Sequence, residues 1–121
     1  MKYLLLCQVR PADFANMPES AEAQMMEQVT QKMMAYHHDL IQAGVLVAAG
    51  QLAMPDTARR VSVSNGKTQT QSGPALAGDV QIGGYYVIDV ATEPDATSWA
   101  AKCPLAAVGA LEVRQVVYSP I

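Results

Sequence analysis

The sequence has few cysteines, few charges and no long apolar run, and each shortage excludes a class of protein. Two cysteines in 121 residues are too few for a disulfide-stapled secreted domain. Eight basic residues, scattered among eleven acidic ones, form no patch of the kind that binds nucleic acid. No segment approaches the ~18 apolar residues of a membrane span, and no stretch reads as an export signal. We therefore expect a cytoplasmic chain with neither a nucleic-acid nor a membrane partner.

Hydrophobic residues, by contrast, are plentiful. They make up 50% of the chain, which allows a core of ordinary size without disulfide support. A length of 121 residues is typical of one domain, and we expect a single domain over residues 1–121.

The strongest strand pattern is the run of aromatic and β-branched residues at 83–90. Because strand side chains alternate between two faces, both faces of this strand are largely apolar. One face carries Tyr86, Ile88 and Val90, and the other carries Tyr85, Val87 and Asp89. Residues 2–9 show the same two-sided pattern. Two-sided strands of this kind are typical of the centre of a sheet.

The remaining segments complete an alternating order of strands and helices. A helix is predicted from an Asn16 cap to Gly44, with its apolar face at Met26, Val29, Met33, Tyr36 and Leu40. Further strands are predicted at 45–49, 59–64, 67–71 and 110–118, a loop at 72–80, and a short helix between Thr92 and Pro104. Asn65-Gly66 is typical of a type I′ hairpin turn.

Without the hairpin, this order is two β-α-β units, the ferredoxin-like pattern. We therefore predict an α+β fold: a ferredoxin-like βαββαβ protomer with an inserted β-hairpin. Two helices can cover only one face of such a sheet. A second copy packed against the other face is the simplest cover, so we predict a homodimer that forms a dimeric α+β barrel.

The spacing of the histidines and cysteines does not indicate a catalytic site. His37 and His38 are neighbours on a helix and so point in different directions, and no carboxylate or cysteine stands at ligand spacing to complete a metal site. Cys7 lies among leucines and Cys103 near a helix end, which favours inert buried thiols. No phosphate-binding glycine motif is present. We expect no metal and no cofactor, and the sequence assigns no catalytic residue.

Several polar residues on strands, together with Ser72 at the start of the 72–80 loop, are the best candidates for a binding cleft. The candidate cleft residues are Ser72, Tyr85, Asp89 and Arg114. They would converge between the sheet and a partner copy, although polar residues on strands also form structural ion pairs. Two functions stay open: a small-molecule-binding protein or enzyme that uses the cleft, and a non-catalytic regulatory or partner-binding module.

The chain resembles the YCII-related proteins, in particular the branch marked by Asp-Gly-Pro-Phe. The matching pieces run in family order along the chain: residues 1–5, 43–47, 58–61, 83–86, 99–104 and 109–114. The resemblance implies a small bacterial cytoplasmic protein with a dimeric α+β barrel. In this family some members are proposed to be enzymes with a His–Asp pair, and some accompany extracytoplasmic-function sigma factors.

Two departures limit what the resemblance implies. The signature stretch reads Ser72-Gly73-Pro74-Ala75, which lacks both its acid and its aromatic residue. The histidine proposed as catalytic in the enzyme-like branch would fall near Met33, at least a turn away from His37. No catalytic residue therefore carries over to this chain.

Overall fold

An antiparallel sheet with two helices on one face forms the body of the protein. The computed structural model describes residues 1–11 and 18–121. The strands are β1 (Lys2–Val9), β2 (Leu46–Gln51), β3 (Arg59–Ser64), β4 (Lys67–Ser72), β5 (Gln81–Asp89) and β6 (Ala110–Gln115). The helices are α1 (Glu19–Gln42) and α2 (Glu93–Lys102), with short 3₁₀ turns at Pro55–Thr57 and Pro104–Ala107. In this described part of the chain, no helix has the length and apolar character needed to cross a bilayer.

The strand order confirms the ferredoxin-like α+β prediction. The four strands of the main sheet lie in the order β2-β5-β1-β6, and all neighbours are antiparallel. The two strands with apolar residues on both faces, β1 and β5, are the central pair. Strands β3 and β4 form a separate two-stranded sheet, which is the predicted hairpin.

Local turn chemistry accounts for the ends of the elements. Asn65 and Gly66 have φ of 51° and 75°, the left-handed values that a type I′ turn requires. Gly44 follows α1 with φ of 72°, as expected after a helix end. The side chain of Thr92 accepts a hydrogen bond from the Asp95 amide at 3.3 Å and so caps α2. The predicted Asn16 cap of α1 lies outside the described residues.

The core lies between the helices and the sheet. Its fully buried side chains include Leu5 and Cys7 of β1, Leu40 of α1, Ile88 of β5 and Cys103 after α2. The alternation of burial along β1 and β5 shows that every second residue faces the helices.

Three details of the sequence prediction were wrong. Met26 is 51% exposed and Met25 takes the half-buried position instead, because the inner face of α1 runs through Met25, Val29 and Met33. Strand β2 continues through Gly50 to Gln51, where Gly50 was expected to end it. Strand β6 ends at Gln115, and Val117 and Tyr118 beyond it are exposed.

Candidate functional site

The face of the sheet opposite the helices, here called the open face, has an apolar floor. The floor consists of Leu4 and Leu6 of β1 and of Tyr85 and Val87 of β5, all half-buried. Leu6 pairs with Tyr85 and Leu4 pairs with Val87, and directly paired residues share a face. In the described part of the chain, neither helix covers this floor, because both pack on the side of Leu5 and Ile88.

Tyr85 extends across the floor toward the edge strand β2. A Cβ placed on Gly50 would lie 2.8 Å from Tyr85 Cε1, far closer than real contacts allow. Glycine at position 50 therefore leaves room for the Tyr85 ring. This accounts for a glycine inside β2, where glycine otherwise weakens a strand. The hydroxyl end of Tyr85 lies over β2 at the margin of the floor.

Glu112 and Arg114 flank the floor on its other side. Glu112 pairs with Leu6 and Arg114 pairs with Leu4 in the β1–β6 register. Arg114 Nε lies 3.8 Å from Glu112 Oε2, and the two side chains are 72% and 46% exposed. An exposed pair at this distance contributes little to stability. The Arg114 guanidinium thus keeps hydrogen-bond donors for another acceptor.

Asp89 lies at the end of β5 and is bound to the amino terminus. The Met1 ammonium group donates to Asp89 Oδ1 at 2.9 Å and to the Val90 carbonyl at 2.8 Å. The expected alternative, a structural ion pair, thus exists for Asp89, but its partner is the terminal amine and not an arginine.

The structure brings together only part of the candidate cleft. Tyr85 and Arg114 lie on the open face, and Asp89 lies on the same strand as Tyr85. Ser72 pairs with Arg59 at the base of the hairpin, away from this floor. Strand alternation predicted the face of β5 that carries Tyr85. The sequence placed Ser72 in a loop, whereas the structure has it at the end of β4 in the separate hairpin.

A concavity, here called the Trp99 cleft, lies beside α2. It has a volume of about 490 Å³ and is lined by Val45, Asp89, Val90, Ala91, Asp95, Ser98, Trp99 and Lys102. Lys102 Nζ lies 4.6 Å from the centre of the Trp99 ring, a cation–π contact. Another concavity, of about 500 Å³, lies beside Arg10 and Gly109. The four candidate residues, Ser72, Tyr85, Asp89 and Arg114, do not come together in either of these concavities.

His37 forms a hydrogen bond that the sequence did not predict. Its Nε2 lies 2.6 Å from the hydroxyl of Tyr86, which is 4% exposed. Burial raises the pKa of Tyr86, so the hydroxyl keeps its proton and can donate it to the imidazole. Tyr86 also meets Tyr36 edge-to-face at 5.5 Å, and the Tyr36 hydroxyl donates to the Trp99 carbonyl at 2.8 Å. His37 thus has a structural partner, whereas His38 is exposed.

Replacing His37 with alanine should destabilise the fold by about 1–3 kcal/mol, because it leaves the buried Tyr86 hydroxyl without its partner. Tyr86→Phe should cost less, about 0.5–1.5 kcal/mol, since it removes the hydroxyl together with the bond. Urea unfolding checks both values. His38→Ala is the matched control and should change stability by less than about 0.5 kcal/mol. Equal effects of His37→Ala and His38→Ala would contradict this role.

Cys7 and Cys103 are both free and lie next to each other in the core. The neighbouring Cys7 thiol lowers the pKa of Cys103, against the effect of burial. Backbone N–H groups of Leu105 and Ala106 lower the Cys103 pKa further. The same contact and burial raise the pKa of Cys7. Exposures of 1% for Cys7 and 2% for Cys103 keep both sulfurs from reagents in solution.

A thiol-reactive chromogenic disulfide should therefore modify neither cysteine rapidly in the native protein. Slow modification is expected at the rate at which the core opens, and both thiols should react at once in denaturant. A thiol that reacts within seconds under native conditions would show that one cysteine is accessible and would reopen the question of a nucleophile.

Metal ligands do not cluster in the described residues. Across residues 1–11 and 18–121, no three histidine, cysteine, aspartate or glutamate side chains are close enough together to hold a metal ion. Polar groups at the margins of the floor include the Tyr85 phenol, the Glu112 carboxylate and the Arg114 guanidinium. Together with an apolar floor, they can position an organic molecule by hydrogen bonds.

Comparisons with known proteins agree with the fold. The chain resembles a solved structure of 5-chloro-2-hydroxyhydroquinone dehydrochlorinase (TftG) from Burkholderia phenoliruptrix AC1100, in complex with 2,5-dihydroxybenzoquinone. The TM-score is 0.56 at 12% identity, and the match covers 98% of this chain and 96% of that one. The comparison with curated proteins found no match.

The family comparison covers nearly the whole chain. The model of the YCII-related domain matches residues 1–119, which include every strand and helix described above. The chain therefore belongs to the YCII-related family.

Proposed function

We propose that this protein binds a small organic molecule on the open face, in a cleft completed by a second copy of the chain. The observation that carries the proposal is the apolar floor of Leu4, Leu6, Tyr85 and Val87, with Glu112 and Arg114 at one margin. An apolar surface with a few polar groups around it is the usual composition of a ligand site. Two chains that pack sheet against sheet would enclose it.

A flat, oxygenated ring suits these groups best. Tyr85 offers an aromatic surface for stacking and a hydroxyl for hydrogen bonding. Arg114 is 72% exposed and only loosely paired, so it can bind a ligand oxygen that carries negative charge. The solved structure of similar fold holds 2,5-dihydroxybenzoquinone, a molecule of this class.

A separate question is whether the protein also catalyses a reaction of the bound molecule. The groups on the open face that can transfer a proton include the Tyr85 hydroxyl and the Glu112 carboxylate. Asp89, which the sequence placed among the candidates, is held by the Met1 ammonium group and is a weaker candidate for a base. A regulatory module is the alternative, and it would use the same floor without turnover.

A thermal-shift screen with hydroxyquinones and small aromatic acids tests the proposal. A true ligand at ~100 times its Kd should stabilise the fold by about 2.7 kcal/mol. Arg114→Ala removes a charged hydrogen bond worth about 1.5–3 kcal/mol, so the affinity should fall roughly 10- to 150-fold. Tyr85→Phe should weaken binding less.

Arg10→Ala is the matched control, because Arg10 is exposed at the end of the sheet near a different concavity. Equal loss of affinity in Arg10→Ala and Arg114→Ala would contradict a site on the open face. Turnover of a hit that is lost in Glu112→Gln, with binding kept, would identify an enzyme. Binding without turnover would favour the regulatory alternative.

A further inference from the structure

The β3–β4 hairpin, here called the arm, is exposed on both of its faces. Every residue of β3 and of β4 is exposed. In the described part of the chain, neither strand has an extended contact with any helix or with any strand outside the arm. An isolated two-stranded hairpin is at best marginally stable in water. The arm therefore needs a surface outside its own protomer.

The two sides of the arm differ in chemistry. Val61 pairs with Thr70 and Val63 pairs with Thr68, and these four residues share one side with Arg59 and Ser72 at its base. The two valines on this side are 65% and 68% exposed. The other side carries Arg60, Lys67 and the polar residues between them. The middle of the first side is thus suited to burial, and the other side is suited to water.

The charge of the arm is opposite to that of the body. Residues 59–72 contain three of the eight basic residues and none of the eleven acidic ones. The arm therefore has a formal charge of +3, and the rest of the chain has a formal charge of −6. Opposite charges on two surfaces steer them together and discourage contact between like surfaces. A second copy of this chain has a body with a formal charge of −6, opposite in sign to the charge of the arm.

The length of the arm is also compatible with a contact on a second copy of the chain. Six residues per strand at about 3.3 Å each give an arm of roughly 20 Å. Four neighbouring strands at about 4.8 Å spacing span roughly 14 Å. The arm is therefore long enough to cross the edge of a partner's sheet. In a two-fold dimer the same contact forms twice, so one arrangement covers both arms.

We propose that the arm of each protomer packs on the other protomer and closes the rim of its open-face cleft, with Val61 and Val63 turned inward. The site of one chain is then incomplete without the arm of its partner. This inference rests on the proposed function, since it places the arm at the dimer cleft.

Photo-crosslinking tests the contact directly. Val63→Cys carries the only accessible thiol, because Cys7 and Cys103 are buried, and it can be labelled with a benzophenone maleimide. A mixture of ¹⁴N and ¹⁵N protein then separates crosslinks between chains from those within a chain. We expect mixed-isotope crosslinks from the arm to β1, β2 or β6. Ile41→Cys, 61% exposed on α1, is the control and should give few. Crosslinks only within a chain, or no excess over the control, would overturn the proposal.

Excision of the arm provides the second readout. The Gly73 amide donates to the Ala58 carbonyl at 2.9 Å, so a two-residue Asn-Gly turn can join these residues with the main sheet intact. We expect the dimer dissociation constant, measured by sedimentation equilibrium, to rise at least about tenfold, because well-packed interface contacts are lost. An unchanged constant, or binding of the arm to another protein with no dimer, would overturn the proposal.

The two proposals fail in different ways. If the arm packs on the partner and the function is wrong, the crosslinks still form in ligand-free protein while no compound binds. If the function is right and the arm proposal is wrong, the protein without its arm binds the same compounds with unchanged affinity.

Discussion

Ile88→Ala is expected to destabilise the protein by about 2–5 kcal/mol, the cost of a cavity in a packed core. Ile88 is completely buried, and it lies on the central strand β5 opposite Tyr3 of β1 and Leu46 of β2. Because it has strand neighbours on both sides, the surrounding residues cannot collapse into the space that the lost atoms leave. Urea unfolding at fixed protein concentration gives the free energy of unfolding.

Ile41→Ala is the matched control for this experiment. It makes the same chemical change on a side chain that is 61% exposed, and alanine favours the helix. A change of less than about 0.5 kcal/mol is expected there. If the two substitutions had similar costs, the core would not lie between β5 and the helices.

Leu6→Asp is expected to convert the proposed dimer to monomers. Leu6 lies at the centre of the open face, between Tyr85 and Glu112 in the strand register. In the dimer, a carboxylate at this position would be buried without a partner, and next to a carboxylate that is already there. Such a charge costs several kcal/mol, so the dissociation constant should rise at least about 30-fold.

Sedimentation equilibrium measures this shift between the 12.9 kDa chain mass and twice that value. Leu76→Asp is the control, because Leu76 is 78% exposed in the loop before β5, and it should leave the dimer intact. A Leu6→Asp protein that remains a dimer would show that the open face is not the interface. It would also remove the second copy from the proposed site.

The fold was predictable because several local signals agreed. The apolar residues on both faces of β1 and β5 identified the central strands, and Asn65-Gly66 identified the hairpin turn. Gly44 and Thr92 located helix ends. These signals depend on the periodicity and backbone preferences of short segments, which a sequence displays directly.

The candidate site was less predictable because it depends on contacts between distant segments. The Tyr85 ring lies over Gly50, and the Asp89 carboxylate lies against the Met1 ammonium group. The sequence of one segment alone does not indicate which distant residue it contacts. The His37–Tyr86 bond was missed for the same reason, although the position of His37 beside the inner face of α1 was a usable signal. Ser72 was grouped with the cleft because the sequence placed it in the loop before β5, whereas it is the last residue of β4 in the arm.

The most direct test of the central claim is a methyl NMR titration with 2,5-dihydroxybenzoquinone and with any compound found in the thermal screen. Binding on the open face predicts shifts for the methyl groups of Leu4, Leu6 and Val87. The signals of the methyl groups of Leu5, Leu40 and Ile88, which lie in the core between the helices and the sheet, should shift little. Shifts confined to Val45 and Val90 would place the ligand in the Trp99 cleft instead. That result, or no compound that binds at all, would contradict the account.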